Sequence, residues 1–176
     1  LDQATRNAND AISMLQTADG AAIEIGNVLQ RMRELAVQYG NGTLTSDDQA
    51  AIDTEFTSLQ AEVERIADNT TWNGTSIMDG TGGSSGTFTY QVGADDGQTI
   101  SVSLGDFNGA ATTTYGAGTA ASLSVIVAST ATAIADLDIS IAGLNDQRAT
   151  LGATMNRLEY TVDNLQNISQ NTEASR

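Results

Sequence analysis

Histidine, cysteine, proline and lysine are all absent from this chain of 176 residues. Without histidine it lacks the commonest general base and the commonest metal ligand. Without cysteine it has no disulfide, no thiolate nucleophile and none of the usual structural zinc sites. A carboxylate pair or a Ser-Lys dyad would be the remaining route to catalysis, and there is no lysine for the second. No residue set supports an enzyme, and no cofactor is expected. Asp95-Asp96 lacks the alternating carboxylates and closing glutamate of a calcium loop, so it reads as a hairpin turn and not as a metal site. Without proline, nothing interrupts a long helix. No apolar run approaches the roughly 18 residues of a membrane span, and no signal-peptide pattern is present. Positive charge is scarce as well: seven arginines face 22 acidic residues, for a net charge of −15. Nucleic-acid affinity depends on many Lys and Arg contacts, and an anionic bilayer repels such a chain, so neither is an expected partner.

What is present is periodic. Leu1, Ala8, Leu15, Ala22, Leu29 and Ala36 recur every seventh residue, interleaved with Ala4, Ala11, Ala18, Ile25, Met32 and Tyr39. Met14, Ala21, Val28 and Leu35 widen the stripe. This predicts a long helix over 1–39 that buries a face against more than one neighbour. Gly40-Asn41-Gly42 ends it, since both residue types accept a left-handed backbone. Ser46-Asp47-Asp48-Gln49 predicts a second helix start capped by Ser46, with Gln49 reaching back. Ile52, Phe56, Leu59, Val63 and Ile66 carry that helix over 46–68, folded antiparallel on the first through a short loop.

Between residues 74 and 118 lie eleven of the seventeen glycines and no arginine. There Phe88, Tyr90 and Val92, then Ile100, Val102 and Leu104, alternate around Gly93–Gln98, which predicts a β-hairpin. From 119 to 170 a second heptad runs through Leu123, Leu137, Leu144, Leu151, Leu158 and Leu165, with Val127, Ile134, Ile141, Arg148, Met155 and Val162 between them. An unbroken helix of that length measures about 75 Å, against a radius of gyration of about 16 Å for a compact globule of this size. The expected fold is therefore mainly α: one elongated antiparallel helical bundle or coiled-coil rod with a small β-hairpin region. The chain opens mid-pattern at Leu1 and closes without a cap at Arg176, which reads as a trimmed fragment.

Five segments, RNANDAISMLQTADGA (6–21), LQRMRELAVQ (29–38), NTTWNG (69–74), YQVGADDGQTISV (90–102) and LGATMNRLEYTVDNL (151–165), resemble bacterial flagellin in order and spacing. The resemblance covers nearly the whole chain outside 75–86 and 106–122. It implies the inner rod domain of a small flagellin, without the terminal helices that drive polymerisation. It further implies a structural filament subunit used in motility, placed outside the cell without a cleavable signal peptide, with other flagellin subunits as partners. The absent terminal helices imply that the fragment is monomeric. In many flagellins the 30–38 helix face contacts the next subunit, and in shed monomers it is bound by the vertebrate flagellin-sensing Toll-like receptor. The matching positions here are Gln30, Arg31, Glu34, Leu35 and Gln38, with Glu55 from the second helix. Pattern alone puts Leu35 at the buried edge and assigns Gln30, Arg31, Glu34, Val37 and Gln38 a solvated face with a weak Arg31–Glu34 pair.

Three further positions stand out. Arg33, beside the seam, is expected to brace the helix against an acidic neighbour. Arg148 occupies a seam position, either snorkelling at the bundle edge or forming a buried pair that fixes helix register. Gly152 is expected to permit close helix packing. Asn156 and Arg157 match a family pair and are either subunit contacts or ordinary exposed residues.

Overall fold

The computed structural model describes residues 1–107 and 130–175. The first heptad folds as α1, Asp2–Tyr39. Its buried side chains are those of the stripe: Ala4, Ala8, Ala11, Met14, Leu15, Ala18, Ala22, Ile25, Leu29, Met32, Leu35 and Ala36. Along the two seams burial is lost only at the ends, where Leu1 is 37% exposed and Tyr39 half-buried; Ala21 and Val28, on the widened edge, are half-buried. The second helix, α2, spans Ser46–Asn69 and buries Ile52, Phe56, Val63 and Ala67. Its cap lies one residue before the expected Ser46. Thr45 accepts a hydrogen bond from the Asp48 backbone, and the Asp48 carboxylate accepts from the Thr45 backbone and hydroxyl. Thr45-Ser46-Asp47-Asp48 satisfies the same reciprocal arrangement with a shorter acid in place of Gln49.

The glycine-rich segment contains two small antiparallel pairs. In the first, β1 (Thr71–Trp72) and β2 (Thr75–Ser76) flank Asn73 and Gly74 at φ of 48° and 78°. Two consecutive left-handed residues make the tight turn whose twist suits a hairpin, and Asn-Gly is its strongest sequence signature. The alternation-based reading overlooked this pair because two residues per strand are too few to alternate. In the second, β3 (Thr87–Gln91) pairs with β4 (Thr99–Ser103), setting Phe88 opposite Val102 and Tyr90 opposite Ile100. This is the expected hairpin, and its inward residues Val92, Ile100, Val102 and Leu104 are buried.

The last described element, α3, spans Thr130–Ala174. Leu137, Leu144, Leu151, Leu158, Val162 and Leu165 bury along it. The expected helical stretch 119–129, with Leu123 and Val127, lies outside the described residues. Three contacts fix the direction of α3 against α1. Arg33 meets Asp138, Asp19 meets Arg148, and Asp2 meets Ser169, in opposite order along the two helices. The helices therefore run antiparallel for most of their length. At 38 and 45 residues they measure about 57 and about 68 Å, so the shape is elongated. The second hairpin packs on their flank. The Tyr90 hydroxyl donates to Met14 Sδ at 2.8 Å, Asn7 donates to the Gln91 carbonyl, and Gln147 donates to the Ser103 carbonyl. Burial, with the Asp10 charge behind it, pushes the Tyr90 hydroxyl pKa up.

Close packing falls on a different glycine from the expected one. A Cβ added at Gly152 would meet nothing within 4 Å, whereas one added at Gly26 would sit 3.1 Å from Leu144 Cδ2. Gly26, facing the leucine seam of α3, is a position of close helix approach; Gly152 occupies open space and only weakens its helix. Gly152→Ala is thus expected to stabilise the fold by about 1 kcal/mol through helix propensity. Gly26→Ala should gain less, because Leu144 must yield. Thermal melts of the two variants, followed by circular dichroism at 222 nm, distinguish these outcomes. Equal gains would remove the packing role of Gly26.

Candidate interaction surface

The α1 repeat places Gln30, Arg31, Glu34 and Gln38 away from the seam, and all four are exposed. The short α1–α2 loop turns α2 back beside them, which brings Glu55 across to Arg31. The Arg31 Nε and Nη2 donate to Glu55 Oε1 at 3.0 and 2.8 Å, and Nη1 donates to Glu34 Oε2 at 3.1 Å. The planar fork serves two carboxylates on two helices at once, a geometry lysine cannot reproduce. The Glu55 bond, then the Glu34 bond, raise the guanidinium pKa further, so Arg31 stays charged throughout the working pH range. With one cation and two carboxylates the cluster has a net charge of −1. Three of the five guanidinium N–H groups are engaged, leaving two for a partner.

Of the six surface positions expected from the sequence, five meet on this face. Leu35 does not: at 1% exposure it lies beneath the face, in the core. Its seven-residue relation to Val28, which widens the buried stripe, carried that signal. Val37, which the helical pattern also projects from this face, lies on it at 52% exposure and seven residues from Gln30. A half-exposed valine among glutamines and charged groups gives the surface an apolar element.

Arg33 points to the other side of α1. Its Nε donates to Asp138 Oδ1 at 2.6 Å, linking α1 to an acidic residue of α3. Arg148 Nε donates to Asp19 Oδ1 at 2.7 Å. The two side chains remain 38% and 27% exposed, so Arg148 is a cross-helix pair at the edge of the core and not a fully buried charge. Arg157 is exposed. No group of three or more His, Cys, Asp or Glu that could hold a metal exists among the described residues, and no helix there is long and apolar enough to cross a membrane.

These pairs imply a direction for acid sensitivity. The Arg33 hydrogen bond holds the Asp138 carboxyl below its usual range, Arg65 does the same for Glu62, and the Thr45 hydroxyl and backbone N–H for Asp48. Carboxyls depressed in the folded state bind fewer protons there than in the unfolded chain. Their contribution is therefore complete above about pH 5, beyond the unfolded values, and is lost as pH falls through the lowered folded values. Melting temperature should drop below about pH 5, and less steeply in Asp138→Asn. An unchanged acid slope in that variant would show that the Arg33–Asp138 pair does not contribute.

The chain resembles known proteins along its length. A model of the bacterial flagellin N-terminal helical region matches residues 1–82, and one of the bacterial flagellin C-terminal helical region matches residues 127–176. A flagellin of Halalkalibacterium halodurans is 42% identical over 175 residues, covering 99% of this chain and 62% of that relative. A flagellin of Listeria monocytogenes is 37% identical over 188 residues, covering 99% of this chain and 64% of the relative. The chain thus spans less than two thirds of the length of these curated relatives. The crystal structure of Bacillus cereus flagellin superposes with a TM-score of 0.75 at 32% identity, covering 98% of this chain and 95% of that one. The matched halves are the two helical arms that the Asp2–Ser169, Asp19–Arg148 and Arg33–Asp138 contacts lay antiparallel. By sequence and by fold, this chain belongs to the bacterial flagellin family.

Proposed function

We propose that this chain is the rod of a structural subunit of the bacterial flagellar filament, serving motility outside the cell. Its partners are other copies of the subunit. The observation that carries this reading is the pairing of flagellin-type N- and C-terminal helical arms into one antiparallel rod with polar outer faces. Function resides in those faces and not in a catalytic centre. A chain carrying this sequence within the full length of its relatives, expressed in bacteria lacking flagellin, should form filaments visible by electron microscopy and restore swimming. Stable, soluble, full-length subunits that never form filaments would overturn the proposal.

A second reading concerns the monomer. Gln30, Arg31, Glu34, Gln38 and Glu55 form one continuous exposed patch when the chain stands alone. The patch is a surface for the vertebrate flagellin-sensing Toll-like receptor. Reporter cells expressing that receptor should respond to the purified chain in a dose-dependent way, and silence at saturating dose would reject this second reading.

A further inference from the structure

We propose that Asn41 is a self-modifying site, at which the Gly42 backbone nitrogen converts the asparagine side chain to a carboxylate. The reaction needs an unhindered amide nitrogen next to a side-chain carboxamide, an activated Cγ carbonyl, and a backbone free to rotate so that a five-membered ring can close. The α1–α2 loop supplies all three. Gly42 N–H has no hydrogen-bond partner among the described residues, and apart from its two chain neighbours no residue lies within 4 Å of where a Cβ would project from Gly42. The Asn41 Oδ1 accepts the Thr43 backbone N–H at 3.2 Å. That donor polarises Cγ and stabilises the negative charge that develops on Oδ1 during attack, as a single oxyanion donor does. The Asn41 Nδ2, the leaving group, is unbonded on an exposed residue. Asn41 lies outside helix and strand, so rotation of its backbone breaks no ladder, only the turn bonds with Gln38 and Leu44.

The bonds balance without an added reagent other than water. The Gly42 nitrogen gives up its proton and bonds to Asn41 Cγ, and the Cγ–Nδ2 bond breaks. Ammonia departs with that proton, leaving a cyclic imide. Water opens the imide at either carbonyl, giving aspartate or isoaspartate. Base removes the amide proton, so the rate rises with pH.

Asn73-Gly74 is the internal control. There both residues sit at positive φ between the paired Thr71–Ser76 and Trp72–Thr75 positions. A left-handed asparagine holds its own Cγ away from the following nitrogen, so ring closure requires the turn to open first. The consequence at residue 41 is local. A new carboxylate would appear beside the C-terminal end of α1, where the helix dipole disfavours it and the last turn carries no basic residue. It would arise three residues from Gln38, at the edge of the candidate surface.

The test incubates the purified protein at mildly acidic and mildly alkaline pH and follows the exchange of –NH2 for –OH by peptide mass spectrometry. Trypsin releases residues 34–65, whose one asparagine is Asn41. Asn73 is located by fragmenting the peptide 66–148, which separates it from Asn108-Gly109, a pair outside the described residues. We expect Asn41 to convert at least about tenfold faster than Asn73, the faster rate at alkaline pH. Gly42→Ala, which the loop accommodates without clash, should slow Asn41 by about tenfold by shielding the nitrogen. Conversion of Asn41 no faster than Asn73, or an unchanged rate in Gly42→Ala, would overturn the proposal. Neither result bears on filament formation.

Discussion

Leu29→Ala is expected to destabilise the fold by about 2–5 kcal/mol. Leu29 is fully buried on α1 at the level where all three helices meet, with Glu55 of α2 beside Arg31 and Asp138 of α3 beside Arg33. Removing the isobutyl group forfeits its transfer energy, about 1.5–3 kcal/mol, and adds the cost of any cavity that remains. Collapse into that cavity is restrained, because α1 packs against both α2 and α3. The melting temperature should fall by about 2–4 °C for each kcal/mol lost in a chain of this size. Ile23→Ala is the matched control on the same helix: at 41% exposure, its loss should lie within about 0.5 kcal/mol of zero. Similar losses at Leu29 and Ile23, measured by urea or thermal unfolding, would contradict the assignment of the seam.

The second large effect is expected at Arg31, and in binding, with little change in stability. Arg31→Asp removes the shared cation and leaves three carboxylates together on an exposed face. Because the side chains of Arg31, Glu34 and Glu55 are 49%, 69% and 46% exposed, water screens both the lost pairs and the new repulsion. Helicity and melting temperature should therefore barely move. A partner that uses the two remaining guanidinium donors loses them and meets repulsion as well. Arginine at the centre of an interface is commonly a hot spot, and its reversal should weaken association at least about thirtyfold. In the full-length chain this predicts short or absent filaments and poor swimming. In the receptor assay it predicts a dose-response curve shifted by a similar factor. Wild-type filaments with a shifted receptor response would confine the surface to the monomer's partner. Wild-type behaviour in both would remove Arg31 from any interface.

The helices were legible because burial on a helix needs only the 3.6-residue period, and this chain repeats its apolar residues without a proline for long stretches. All of Leu15, Ile25, Leu29 and Met32 are buried where the heptad puts them. Departures occur where the period carries no information. The α2 cap moved from Ser46 to Thr45 because either hydroxyl suits the first turn, and only the backbone geometry selects between them. The β1–β2 pair was too short to alternate, although Asn73-Gly74 announced its turn. Leu35 follows the period: its spacing from Val28 puts it at the buried edge, and it is 1% exposed, although the resemblance groups it with the surface positions.

Heptad spacing, the chain breaks at Gly40–Gly42 and the alternation across residues 88–104 thus determine which residues bury, how many helices form and where the hairpin lies. These are properties of neighbours in sequence, set by the fixed geometry of helix and strand. Which carboxylate each arginine meets is decided only by packing. Arg31 and Arg33 are two residues apart, about 200° around a helix, so they face different neighbours. Arg31 reaches Glu55 on α2 and Arg33 reaches Asp138 on α3, 24 and 105 residues away in sequence. Packing likewise makes Gly26, and not Gly152, a point of close approach. A contact between distant segments depends on how two rods align, and no local period encodes that alignment.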